Sequence, residues 1–145
     1  MTLLPPELRH ALRAADIARR VLERAGESEA DPVPLVKFFN PVGPATWLAS
    51  ELDRDGDTLF GLADLGFGYP ELGSFSLAEI EAVRLPFGLG IERDLSFESS
   101  LPLSVWAEAA RRTGSLIAAE QLLGFASKVI ANRRLPDPPD EGGDG

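Results

Sequence analysis

The chain has 145 residues, 44% of them apolar, with no cysteine and a net charge of −9. That length suits one domain with a real core, and the missing cysteines exclude disulfides, thiolate metal sites and cysteine nucleophiles. The charge is uneven: residues 33–110 hold four Lys/Arg against twelve Asp/Glu, residues 1–32 five against six, and residues 111–145 five against five, which argues against a broad phosphate-binding surface. Two local basic patches stand out, Arg9, Arg13 and Arg20 near the start and Arg111, Arg112, Arg133 and Arg134 near the end.

The first residues lack a basic leader followed by a long apolar run, so no signal peptide is expected. No window reaches the roughly 18–20 apolar residues of a membrane span. The expectation is a soluble, cytoplasmic protein with no membrane partner.

Pro5, Pro6 and Glu7 suit a helix start. Leu8, Leu12, Ala15 and Leu22 recur at helical spacing, Ile17 and Val21 widen the stripe, and Gly26 ends the helix. The polar segment 26–34 is a linker. Leu35 to Phe39 reads as a strand, broken by Asn40-Pro41-Val42-Gly43-Pro44.

Thr46 to Leu52 and Thr58 to Leu65 flank Asp53-Arg54-Asp55-Gly56-Asp57, whose Asp-Gly pair signals a hairpin. Gly66-Phe67-Gly68-Tyr69-Pro70 turns the chain into a third strand, Leu72 to Phe75. Ser76 and Glu79 form a capping-box pattern for a short helix to about Arg84. Alternation from Ile91 to Phe97 predicts a further strand. Leu103, Trp106 and Ala110 mark a helix ending near Gly114, and Ser115 caps a last helix to about Arg134 with Ala119, Leu122, Ala126 and Ile130 on one side. The composition of 136–145 predicts a disordered tail. The expected organisation is an N-terminal helix (1–26), an α+β core (33–112), a C-terminal helix (115–134) and that tail. The fold class is α+β, a small antiparallel β-meander of about four to five strands with flanking helices.

Asp53, Asp55 and Asp57 invite a calcium reading, since hard cations need several oxygens close together. The EF-hand pattern places glycine sixth and glutamate twelfth, whereas here glycine is fourth and Asp64 is twelfth, so a solvated hairpin turn is the better reading. Asp64, Glu71, Glu92 and Asp94 offer carboxylates for acid–base or magnesium chemistry. Asp64 shares a face with Phe60 and Leu62, and a structural ion pair with Arg93 or Arg84 is the simpler expectation. His10, the sole histidine, stands beside Arg9 and far from every acid cluster, which leaves no catalytic triad or histidine metal site in view. The pairs Gly66/Gly68 and Gly88/Gly90 complete no dinucleotide or phosphate loop and are turns. Phe67 and Tyr69 either project from a loop tip, where they can anchor a partner or stack a base, or fold into the core. Trp47 and Trp106 sit in apolar patterns and are expected as core anchors.

Between residues 33 and 112, the ordered blocks KFF, ATWL, LFGLADLGFG, PELG, SLAEI, IERD and PLS resemble a bacterial family known as domain of unknown function 2958. The resemblance implies a small α+β domain in a bacterial, plasmid or other mobile-element setting, and it brings no activity, cofactor or catalytic residue. The leading expectation is therefore a non-enzymatic interaction domain, an accessory factor of a mobile element with an unidentified protein partner. Its candidate surface is Asp64, Phe67, Tyr69, Glu71, Glu92 and Asp94, and a sharper form is acidic mimicry of DNA phosphates. The alternatives are a metal-dependent phosphoryl-transfer enzyme or nuclease using the four clustered carboxylates, and nucleic-acid binding through the arginine-bearing helices. No cofactor or metal site is assigned.

Overall fold

In the computed structural model, which describes residues 2–27 and 31–134, a five-stranded antiparallel sheet lies between two helical layers. The elements are α1 (Pro6–Arg24), β1 (Val36–Phe39), β2 (Thr46–Leu52), β3 (Thr58–Asp64), β4 (Glu71–Ser76), α2 (Leu77–Ala82), a single 3-10 turn at Pro86–Gly88, β5 (Glu92–Arg93), α3 (Leu103–Thr113) and α4 (Leu116–Arg134). The sheet order is β4-β3-β2-β1-β5. The α+β meander expected from the sequence is the architecture found. The tail expected at 136–145 lies outside the described residues.

Alternation sorts the two faces. Val36, Phe38, Trp47, Ala49 and Leu59 meet Leu12 of α1 and Leu77 and Ile80 of α2. Leu48 and Leu62 point the other way, onto Trp106 and Ala110 of α3 and Leu116 and Ala119 of α4. β2 is therefore buried at all seven positions, as befits a central strand covered on both faces. Trp47 and Trp106 are both buried, and Trp106 donates its indole N–H to Ser99 Oγ at 3.0 Å.

Gly61 supplies a signal that the sequence reading passed over. A Cβ there would sit 1.8 Å from the Leu48 carbonyl oxygen. The register shifts between Ala49 and Glu51, so Ser50 is the extra residue of a β-bulge beside this glycine. An isolated glycine inside a strand marks such a close approach.

Two elements differ from expectation. β5 spans only Glu92–Arg93 rather than Ile91 to Phe97. Asp94 Oδ1 accepts from both the Ser96 N–H and its hydroxyl at 3.0 Å, and Phe97 N donates to the Asp94 carbonyl, so a side-chain-closed turn ends the strand. The apolar stripe of α1 is not buried throughout: Leu12 is, but Ile17, Val21 and Leu22 are exposed. The second half of α1 instead faces the β2–β3 hairpin with Asp16 and three arginines. Among the predicted apolar positions of α4, Ala119 is buried while Leu122 and Ile130 are exposed.

Candidate functional site

The hairpin acids are occupied structurally. Asp55 Oδ1 accepts from Asp57 N and Thr58 N at 2.8 Å, and its Oδ2 accepts from the Thr58 hydroxyl at 2.6 Å. The Thr58 hydroxyl, then the Thr58 and Asp57 amides, hold the Asp55 carboxyl down at about 2. Asp57 reaches the start of α2, taking Ser76 Oγ at 2.7 Å and Ala78 N at 2.7 Å, while Ser76 Oγ accepts from Glu79 N at 3.1 Å. The capping serine is thus where the sequence placed it, and Asp57 adds a second cap. The turn is solvated, with Arg54 and Asp55 exposed, and its carboxylates also serve as side-chain acceptors for nearby backbone amides.

Asp64 is fully buried and does not belong to a surface. Its Oδ1 accepts from Gly66 N and its Oδ2 from Leu116 N, each at 2.8 Å. The expected pairing with Arg93 or Arg84 does not occur. Arg93 Nε donates to the Leu3 carbonyl at 2.9 Å, and Arg84 lies on the carbonyls that close α2. The compensation for the buried carboxylate is the positive end of α4, where Ser115 Oγ also accepts from Ala118 N.

Asp64 also organises the loop that follows. Gly66 and Gly68 adopt φ of +94° and +87°, and a Cβ on Gly66 would lie 2.5 Å from Pro44 Cγ, so the β3–β4 loop rests against the β1–β2 loop. From it Phe67 and Tyr69 project into solvent, 79% and 80% exposed, with Leu65 and Val42 exposed at the same end of the sheet.

The four candidate carboxylates do not converge. Glu92 pairs with Phe39, Phe39 with Thr46 and Thr46 with Asp64, which puts Glu92 three strands from Asp64, about 14 Å at roughly 4.8 Å per strand. Glu71 lies on β4, at the opposite edge from β5. Asp94 is held by Ser96 and by Lys37 Nζ at 3.4 Å. Burial alone would raise its carboxyl, but the Ser96 hydrogen bonds and the Lys37 charge outweigh this and leave it below the ordinary range. Lys37 Nζ also meets Glu120 at 2.6 Å. Among the described residues, no three His, Cys, Asp or Glu side chains are grouped to hold a metal ion.

A different constellation forms where α1 crosses the hairpin. Asp16, buried, is met by Arg13 at 2.8 Å, Arg20 at 3.2 Å and Arg19 at 3.5 Å. Burial pushes its carboxyl up, and the hydrogen bonds from Arg13 and Arg20 push it down further, for a net lowering. Arg19 Nε spans both oxygens of buried Glu51 at 2.9 and 2.8 Å, and this contact, more than any other, raises the guanidinium above its ordinary value. Arg20 reaches Asp53 at 3.1 Å, Arg13 the Leu52 carbonyl at 2.8 Å, and Arg9 the Gly56 carbonyl at 2.9 Å. The arginines of the first patch thus clamp α1 to the hairpin. In the second patch, Arg111 and Arg112 bind Glu108, while the side chains of 133 and 134 lie outside the described residues.

This network forms one wall of a cavity of about 560 Å³, whose other walls are Phe60 of β3, Leu72 and Ser74 of β4, and Leu103 and Ser104 of α3. The sequence signal was present in part: Asp16, Arg19 and Arg20 share a helical face. Nothing local tied that face to Glu51.

Comparison with known proteins gives a family and several partial likenesses. The chain is 40% identical over 77 residues to a dihydroorotate dehydrogenase (quinone) of Aromatoleum aromaticum, covering 50% of this chain and 21% of that enzyme. It is 43% identical over 54 residues to the Ectopseudomonas mendocina enzyme of the same name, covering 37% and 15%. The mitochondrial enzyme of Mus musculus is 37% identical over 76 residues, covering 50% and 18%. The chain therefore spans about a fifth of the length of these relatives. No solved structure matches. The match to the protein family of unknown function DUF2958 is far broader, running over residues 3–117 from before α1 to the first turn of α4, and the chain belongs to that family.

Proposed function

We propose that this chain is a non-enzymatic interaction domain, an accessory factor of a bacterial mobile element, that engages a protein partner through the loop end bearing Phe67 and Tyr69. The observation that carries this reading is the pair of aromatic rings held in solvent on a loop fixed by Asp64 below and Pro44 beside it. Aromatic side chains presented on a rigid support are typical contact anchors, because they bury large areas at little cost in conformational entropy.

The competing readings have less to draw on. Phosphoryl transfer needs at least two acids converging on free oxygens, but Asp64 is buried with both oxygens on backbone amides, Asp94 is held by Ser96 and Lys37, and Glu71 and Glu92 lie on opposite edge strands. Phosphate mimicry needs a row of exposed carboxylates, whereas Asp55 and Asp57 cap backbone amides and Asp64 is buried. Nucleic-acid binding through α1 would have to displace Asp16, Glu51 and Asp53 from its arginines. Half of this chain corresponds to only a fifth of the dihydroorotate dehydrogenases, so their activity is not carried over.

The test is affinity capture from the bacterial host with a tagged chain, comparing wild type with the Phe67→Ala/Tyr69→Ala variant at matched circular dichroism. Loss of a partner in the variant supports the reading. Capture of the same partners by both proteins removes it. Neighbouring conjugation, replication or antirestriction genes would support the mobile-element setting.

A further inference from the structure

We infer that the outer edge of β4, with the cavity beside it, receives an extended segment of a partner protein that alternates apolar and Lys/Arg residues and adds to the sheet as a sixth strand. The inference extends the interaction reading to a second surface, distinct from the loop end. β4 terminates the sheet. Alternate backbone N–H and C=O groups of an edge strand point away from its only neighbour, and among the described residues none bonds to the outer side of 71–75. The six-residue strand carries no Lys or Pro to block pairing.

Beside that edge the helical layer stops short. Leu62 pairs with Leu72, and Phe60 with Ser74, so all four share the α3/α4 face. Leu62 is buried under the helices, while Leu72, one strand further out, is 47% exposed on the cavity. A strand added at β4 would direct every second side chain onto Leu72 and Phe60.

Charge selects the kind of strand. Asp16, Asp31, Glu51, Asp53, Arg19 and Arg20 line the cavity. Asp16 and Glu51 are buried, and they and Asp53 are paired with arginines, Arg13 among them. The excess of carboxylate therefore rests on Asp31, which is bonded to Ser104, and with the chain's net charge of −9 it favours a cationic segment. The same excess, on a chain of net charge −9, disfavours a second copy pairing edge to edge.

The test is an NMR titration of the 15N-labelled full chain with a capped decapeptide of alternating Lys and Val, beside its Glu/Val counterpart. Saturable shifts at residues 71–76, Phe60 and Ser104, weakening with salt and absent with the Glu/Val peptide, are expected. Leu72→Lys and Ser74→Lys, both at exposed positions that tolerate lysine, should each weaken binding at least tenfold, while Phe67→Ala/Tyr69→Ala leaves it unchanged. The inference is overturned by shifts confined to other surfaces, by no shift at millimolar peptide, by equal binding of the Glu/Val peptide, or by full binding in both lysine variants. Sedimentation showing a wild-type dimer that Ser74→Lys dissociates would also overturn it, because the edge would already be taken by a second copy.

Discussion

Replacing Asp64 by alanine tests whether one buried carboxylate joins the sheet, the aromatic loop and α4. The change removes the acceptor for two backbone amides, Leu116 N and Gly66 N, both at 2.8 Å from a side chain with no solvent exposure. Leaving a buried donor unsatisfied costs about 1–3 kcal/mol. The Leu116 amide lies at the start of α4, where loss of a negative charge costs about 0.3–1 kcal/mol more. The amide of Gly66 borders a loop that can rotate toward water, so its share falls at the low end. The expected total is about 3 kcal/mol, a large part of the roughly 5–15 kcal/mol that stabilises a typical domain. Asp64→Asn keeps the shape and one carbonyl oxygen but turns an NH2 toward the other amide, so about half that loss is expected. The assay is urea unfolding followed by the fluorescence of Trp47 and Trp106, with exposed Glu71→Ala as control, expected within about 0.5 kcal/mol of wild type. Amide exchange in the first turn of α4 should accelerate in Asp64→Ala. A cost below about 0.5 kcal/mol, or one equal to that of Glu71→Ala, would refute the reasoning.

Gly61→Ala should unfold the protein or cost well over the roughly 1–3 kcal/mol of ordinary overpacking, since the new methyl meets the Leu48 carbonyl at 1.8 Å and backbone must move; thermal melting reads this, and a melting temperature near wild type would contradict the register. Phe87, 92% exposed at φ +67°, adopts a left-handed conformation that costs a bulky residue about 1 kcal/mol or more. Phe87→Gly should therefore raise the urea midpoint, and a lowered midpoint would mean that the added unfolded-state freedom of glycine outweighs the relieved strain. Asp55 has a folded pKa of about 2 against an ordinary 3.8, so its stabilising contribution is present above about pH 4 and lost as pH falls toward 2. Stability should decline on acidification through that window, and Asp55→Ala should flatten the decline; an unchanged slope in the variant would assign the acid sensitivity to other carboxylates.

Local chemistry was legible in the chain before any tertiary contact. The Asp-Gly hairpin with its two flanking strands, the Ser76 cap and the Gly114 helix end each depend on residues within a few positions of one another, where sterics and side-chain-to-backbone hydrogen bonds act directly. The α+β class followed from them. What β5 lost and what α1 buried were decided at longer range. The turn at Asp94 overrode an alternating pattern, and Asp16 took a buried place on α1 because Arg13, Arg19 and Arg20 surround it.

The carboxylates make the division clearest. From sequence, Asp64, Glu71, Glu92 and Asp94 formed one candidate surface, apart from the turn acids Asp53, Asp55 and Asp57. Tertiary structure dispersed them, because the meander sends successive turns to opposite ends of the sheet and places β4 and β5 at opposite edges. Asp64 found its partner 52 residues away, in the first amide of α4. Composition and periodicity carry no record of such a pairing, since a buried charge is stabilised by whatever donor the folded chain brings to it.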